Sequence, residues 1–320
     1  MHRTSGVSSR RRLGLAGLLL CALVVVACVA GVARAAGSSG QITLSPSQVA
    51  KARQSFLNPG EHYIQGSDWL LAMWNISQLR ANPPDVPVIY MLGGSAAREC
   101  TVTDDDWAQE IAGLGGPNVI CRNLGSRNQT FGQDVNVVKN LPEVPSIVFI
   151  GINPSRYFFG PMDASVHLPP ASSPRPKGTQ HHYSSNKIYS LATKKALVGS
   201  VNAKFSARYG YNNAVLGQIL AACKSRPWLH PVLVDMPRLM SLIGHTWDGP
   251  IATYHKGAWN YRVKYGTPFL NFVGKCHFVP NDFFDLVHLV NPGRPKFQRQ
   301  LSGYTLQLLR SYKMAPPKGS

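Results

Sequence analysis

Short apolar runs alternate along this chain with longer stretches of helical spacing. The clearest run is Val86-Pro-Val-Ile-Tyr-Met-Leu92, rich in β-branched and aromatic residues, and it predicts a buried strand. Similar runs predict strands at 119–123, 146–152, 231–235 and 268–273. Helix-like patterns fall near 104–113, 130–140, 211–224, 253–264 and 293–311. Alternation of this kind predicts an α/β fold, a parallel sheet with helices on both faces. A flavodoxin-like five-stranded sheet in the order 2-1-3-4-5 is the usual solution, with its site at the carboxyl ends of the strands.

Two regions stand outside the alternation. Residues 37–85 read as a linker (37–44) followed by a helical extension: a short helix beginning at Ser45-Pro-Ser-Gln, and a second over 67–79. In the second, Trp69, Leu70, Met73 and Ile76 share one face, for core packing or to cover a sheet edge. Within the main domain, 86–312, residues 157–205 carry Pro161, Pro169, Pro170, Pro174 and Pro176 and the polar run His181-His182-Tyr183-Ser184-Ser185. This predicts an insertion, either a lid or binding loop or a mobile excursion. The His181-His182 pair has no third ligand in view, so no metal is expected there. Residues 313–320 read as a tail.

The N-terminus changes the setting. Arg3, Arg10, Arg11 and Arg12 precede an uncharged stretch, Leu13–Ala33, and Ala33-Arg34-Ala35 is a small-x-small cleavage signal. Residues 1–36 therefore predict export, as a cleaved signal, as an uncleaved anchor spanning the bilayer with about 20 residues, or as a lipoprotein acylated at Cys28. A bacterial cell envelope is the expected location. The formal charge is +18, and the five arginines of 1–36 leave +13 for the remainder. A basic exported body is drawn to anionic envelope surfaces. Its basic residues are scattered, which argues against nucleic acid. Four cysteines remain beyond the leader, Cys100, Cys121, Cys223 and Cys276, and an even number in an exported chain predicts two disulfides. Of three pairings, Cys100–Cys121 with Cys223–Cys276 is the expectation.

Polar groups with chemistry cluster where the apolar runs end. Gly93-Gly94-Ser95 closes the first run and lifts a hydroxyl beside backbone N–H groups, which suits a nucleophile whose product is an oxyanion. Asn123-Leu-Gly-Ser126 follows the second run and Gly151-Ile-Asn-Pro154 the third. Asp285 and His288, three apart before the last helix, are placed by a short helical turn on one side, where the carboxylate can fix one imidazole tautomer. Ser95, Gly125 and Asn153 would supply three oxyanion donors. Arg98, Arg127 and Arg156 each follow a strand end, either to line the mouth for an anionic substrate or to make surface ion pairs. Trp247, Tyr254, His255 and Trp259 follow the fourth strand, as an acyl or sugar wall or as packing.

These four segments resemble the blocks of the SGNH, or GDSL-type, hydrolases: Ser95 of block I, Gly125 of block II, Asn153 of block III, and Asp285 with His288 of block V. The resemblance runs from about Val86 to Leu309. It implies a three-layer α/β/α sandwich and ester hydrolysis through an acyl-serine intermediate, with no metal or organic cofactor. Ser95, Asp285 and His288 would be catalytic. The family's Gly-Asp-Ser reads Gly-Gly-Ser here, and its Gly-x-Asn-Asp reads Gly-Ile-Asn-Pro. The Gly-Gly-Ser block and basic exported body also resemble, more loosely, envelope proteins of alginate O-acetylation and teichoic-acid D-alanylation. The partner expected is thus an acyl ester or an acylated envelope polysaccharide. The function is hydrolysis, O-acyl transfer to the polymer, or polymer binding without catalysis.

Overall fold

The structure, a computed structural model, describes residues 40–59, 66–161, 164–177 and 180–314. The leader expected over 1–36 lies outside these, as do residues 37–39 of the linker and 315–320 of the tail. The described chain forms β1 (Gln41–Ile42), α1 (Pro46–Leu57), α2 (Ser67–Ala81), β2 (Val88–Leu92), α3 (Ser95–Arg98), α4 (Asp104–Gly113), β3 (Ile120–Asn123), α5 (Phe131–Asn140) and β4 (Ser146–Ile152). It continues with β5 (Ile188–Tyr189), α6 (Leu191–Leu197), α7 (Asn202–Lys224), β6 (Leu229–Asp235), α8 (Met240–Ile243), α9 (Asp248–Tyr265), β7 (Phe269–Leu270) and α10 (Arg294–Ser311). Among the described residues no helix is long and apolar enough to cross a membrane.

Five strands pair in the order β3-β2-β4-β6-β7, all parallel, which is the expected 2-1-3-4-5 arrangement. Every residue of β2 and of β4 is buried, so both read as continuous apolar runs rather than alternating ones. The pleat still sorts their side chains. Val88, Tyr90 and Leu92 enter a core with α2, α5 and α7, while Ile89 and Met91 enter a second core with α4 and α10. Two helices begin earlier than their patterns indicate. α9 starts at Asp248 because Pro250 falls in its first turn, where a missing N–H costs nothing. α7 starts at Asn202 and runs through Gly210. The last strand is shorter than predicted, since β7 is an edge paired on one side only and a 3₁₀ turn at Val273–Cys276 follows.

The cysteine expectation is corrected. Cys100, Cys121, Cys223 and Cys276 are all free and buried. Cys223 packs in the core on one face of the sheet and the other three in the core on the opposite face, so Cys223 and Cys276 are separated by the sheet itself. They serve as small apolar groups. Burial raises the Cys223 thiol to about 12.

The N-terminal extension is part of the fold. In α2, Trp69, Met73 and Ile76 are fully covered, but Leu70 is 48% exposed, and Ala72 and Leu79 complete the face in its place. The same helix holds the proline-rich arm of the insertion. Trp74 Nε1 donates to Ser173 O (2.9 Å), Ser77 Oγ to Pro169 O (2.6 Å) and Gln78 Nε2 to Ala171 O (2.7 Å). The insertion also has structure of its own: β5 pairs with β1, Gln41 against Ile188 and Ile42 against Tyr189, and α6 packs on α1. Extension and insertion therefore form one cap. Because Ile76 is a core residue, Ile76→Ala is expected to lower unfolding stability by about 2–5 kcal/mol in urea denaturation. A loss below about 1 kcal/mol would mean that α2 is an appendage.

Candidate active site

The turn that presents Ser95 is built by one glycine. β2 ends at Leu92, and Gly93 takes φ +148°, a conformation that L side chains rarely adopt. A Cβ there would also lie 2.8 Å from Ala97 Cβ. The turn leaves Ser95 as the first residue of α3.

Asp285 and His288 sit on a loop, not on the helical turn expected. The loop is closed by an antiparallel bridge between Phe283 and Leu289 and by Phe284 N–H donating to His288 O at 2.8 Å. Tight closure turns the N–H groups of Val287 and His288 onto Asp285 Oδ1, at 2.9 and 3.0 Å. Asp285 Oδ2 then accepts from His288 Nδ1 at 2.8 Å, and His288 Nε2 lies 2.8 Å from Ser95 Oγ. With Nδ1–H given to the carboxylate, Nε2 is the acceptor for the serine proton. Burial alone would raise the Asp285 pKa, but the His288 ring and the two N–H groups hold it below the ordinary value. The carboxylate is therefore ionised at neutral pH.

Asn153, 3% exposed, lies at the end of β4. Its Oδ1 accepts from Ser155 Oγ (2.7 Å) and Arg156 N–H (3.1 Å), which leaves its NH2 group as the donor at the cleft. The departure at Pro154 fits this geometry, since Pro154 opens a 3₁₀ turn for which Asn153 is the cap. Gly125 is differently engaged. Its N–H donates to Asn123 Oδ1 at 3.0 Å, and a Cβ at that position would come 2.6 Å from Arg98 N. Its place beneath α3 is explained by close approach.

Of the three arginines, only Arg127 is exposed at the cleft. Arg98 is 2% exposed and pairs with Asp68 and Glu99. Arg156, 3% exposed, borders the cleft but pairs with Asp134 and lies over the Phe131 ring at 4.2 Å. Arg98 is matched by Asp68 of the extension and by Glu99, and Arg156 by Asp134 of α5, so both charges are neutralised inside the protein. Trp247 lines the cleft, Tyr254 is buried with Asp235, and Trp259 is exposed. His255 Nε2 lies 2.9 Å from Asp235 Oδ2.

Three residues that pattern reading did not single out, Asp68, Glu99 and Arg294, support the site, together with His181. Asp68 Oδ2 accepts from Arg127 N–H (2.7 Å) and Arg98 Nη1 (2.6 Å), which ties α2 to the loop after β3. Glu99 is fully buried between Arg98 and Arg294, and accepts the His182 N–H at 3.0 Å. His181 bridges Val102 O (2.6 Å) and Glu99 (3.3 Å). Arg294 also donates to Tyr183 O at 2.7 Å. The Tyr183 ring, so anchored, stacks on Phe284 and meets His288 at 4.8 Å between centroids. A charged residue next to an apolar strand end gives little sequence signal of such burial, because its partners, Glu99 beside Arg98 apart, lie far along the chain. Among the described residues no three His, Cys, Asp or Glu side chains converge as a metal site.

The whole cleft has a volume of about 400 Å³ and is roofed by α1 and by residues 183–201. No family model and no curated protein matches this chain. Solved structures do. A lipase/acylhydrolase from Enterococcus faecalis is similar over 73% of this chain and 100% of its own, at 13% identity and a TM-score of 0.40. A carbohydrate acetylesterase family member from Sinorhizobium meliloti is similar over 70% and 100%, at 10% identity and a TM-score of 0.42. The aryl esterase of M. smegmatis is similar over 70% and 100%, at 11% identity and a TM-score of 0.41.

The buried Glu99 makes a pH prediction. Burial pushes its pKa up, but hydrogen bonds from His181 and the His182 N–H, with the charges of Arg98 and Arg294, bring it from an ordinary 4.5 to about 2. A depressed carboxylate stabilises the fold above its unfolded pKa, and that stabilisation is lost as pH falls through the folded value. The difference in unfolding free energy between the parent and Glu99→Gln is expected to shrink by about 3 kcal/mol between pH 6 and pH 2. A pH-independent difference would refute the ionised, paired carboxylate.

Proposed function

We propose that this protein is an exported serine ester hydrolase of the SGNH type, acting on an ester at the cell envelope through an acyl-serine intermediate. The observation that carries the reading is the unbroken chain from Asp285 through His288 to Ser95, with both links at 2.8 Å. An isolated serine hydroxyl is a weak nucleophile, and this arrangement supplies the base it needs. Ser95 Oγ attacks the acyl carbonyl as His288 Nε2 takes its proton. The Ser95 N–H and the Asn153 NH2 group stabilise the oxyanion. His288 then returns the proton to the departing alcohol, and water releases the acyl group by the same steps in reverse.

Export rests on the 1–36 leader pattern, and action at the envelope on that pattern together with the +13 body. Arg127, exposed at the mouth, would meet an anionic alcohol portion. Water and a sugar hydroxyl can both accept an acyl group from such an intermediate. Faster consumption of acyl donor on adding envelope polysaccharide would mark transfer.

The test is labelling of the full chain by a fluorophosphonate probe, beside hydrolysis of an activated ester. Labelling is expected in the parent and absent in Ser95→Ala and His288→Ala. Asp285→Asn should lower kcat by about 10⁴, and Asn153→Ala by about 10²–10³. A Ser95→Ala protein hydrolysing the ester at the parent rate would sink the reading. A folded parent that neither labels nor hydrolyses would favour a polymer-binding role.

A further inference from the structure

The cleft that holds Ser95 continues into an apolar recess. Its apolar walls are Phe56 and Leu57 of α1, Leu197 at the end of α6, Trp247, and Leu286 and Val287 beside His288, and the polar Arg53, Ser55 and Ser200 of the same segments also line the cleft. Two of these walls belong to segments outside the sheet's own strand–helix alternation. α1 comes from the N-terminal extension and α6 from the insertion, and the pairing of β1 with β5 holds them together. The third side is fixed as well. The Trp247 indole N–H donates to Gly199 O at 2.9 Å, and its ring stacks on Phe56 at 5.8 Å between centroids.

This lining discriminates between the two halves of an ester. A sugar ring needs hydroxyl partners and an open aromatic face. The face of Trp247 is covered by Phe56, the residue as a whole is 1% exposed, and the five other apolar walls outnumber the polar Arg53, Ser55 and Ser200 on these segments. An acetyl group would leave most of that apolar surface against water. At ~30 Å³ for each water-sized group, the whole cleft of about 400 Å³, mouth included, has room for about a dozen heavy atoms, which caps the acyl chain with its ester group. We infer that the recess is an acyl-chain site, and that the substrate is an ester of a chain of about six to ten carbons rather than an acetate. The inference rests on the serine-hydrolase reading above. It adds that the cap, assembled from two distant parts of the chain, sets the acyl length.

The test is a series of 4-nitrophenyl esters from acetate to dodecanoate with the full-length protein, with fluorophosphonate labelling in parallel to count active Ser95. Burying one methylene is worth about fourfold in binding. The value of kcat/KM is therefore expected to rise on the order of 100-fold from acetate to hexanoate, and to level off or fall beyond decanoate. Leu57→Trp and Leu197→Trp, on separate segments of the cap, each fill the recess. Either is expected to lower the ratio of octanoate to acetate kcat/KM by about tenfold or more. Acetate as the best substrate of a labelling-competent parent would overturn the inference and leave the serine hydrolase standing. An unchanged ratio in variants that fold and label would do the same. Absence of both labelling and hydrolysis would overturn the serine-hydrolase reading, and this inference with it.

Discussion

Asp285 has both oxygens committed, one to two backbone N–H groups and the other to His288 Nδ1, and the rest of the site is arranged from that carboxylate outward. A partly buried carboxylate without partners would be pushed toward protonation. Here the two N–H groups come from its own loop, so closing the loop and ionising the acid are the same event. The ionised acid fixes the tautomer and direction of His288, which in turn points Nε2 at Ser95. Ser95 is held on the opposite side by a turn that only glycine accommodates at position 93. Two independent backbone constraints thus meet at one hydrogen bond. The side chains contribute little rotational freedom of their own.

The cap is secured by a different device. Asp68, Arg98, Glu99 and Arg294 are buried ion pairs, and burying such charges costs about as much desolvation as their attraction returns. Their value lies in direction. Arg98 ends the helix that begins at Ser95 and Glu99 follows it, Asp68 belongs to the N-terminal extension, Arg294 opens the last helix, and the main chain of His182 and Tyr183 belongs to the insertion. Four distant segments converge on one charge cluster, and the Tyr183 ring is set against His288 as a result. An apolar contact in the same place would bind as tightly but would not specify which segment lies where.

The sheet was legible because its period is short and its strands are buried on both faces. Val88–Leu92 and Ser146–Ile152 announce themselves as apolar runs whatever their partners are. The Asp285 and His288 spacing was legible too, although a bridge-closed loop supplies the geometry that a helical turn was expected to give. The features that periodicity missed all depend on pairing at long range. Nothing local in Arg98 or Arg156 distinguishes an arginine at the mouth from one matched by Asp68 or Asp134. Cysteine parity predicted disulfides, whereas the sheet separates Cys223 from the other three thiols. The insertion looked structureless because its order comes from β1 and α2, more than 90 residues upstream.

Gly125 shows how a motif position can be filled for a reason other than the one the motif suggests. Its N–H is given to Asn123 Oδ1, and Asn123 Nδ2 donates to Ala97 O and to Thr101 Oγ1. Asn123 therefore straps the loop after β3 to the helix that begins at Ser95. Leu124 N–H to Met91 O and Ser126 N–H to Gly93 O carry the β2–β3 pairing past the strand ends to the same helix. At Gly125 a Cβ would strike the main chain of Arg98, so any other residue would push that helix, and Ser95 with it, away from His288. The steric demand and the alignment of Ser95 on His288 are one constraint.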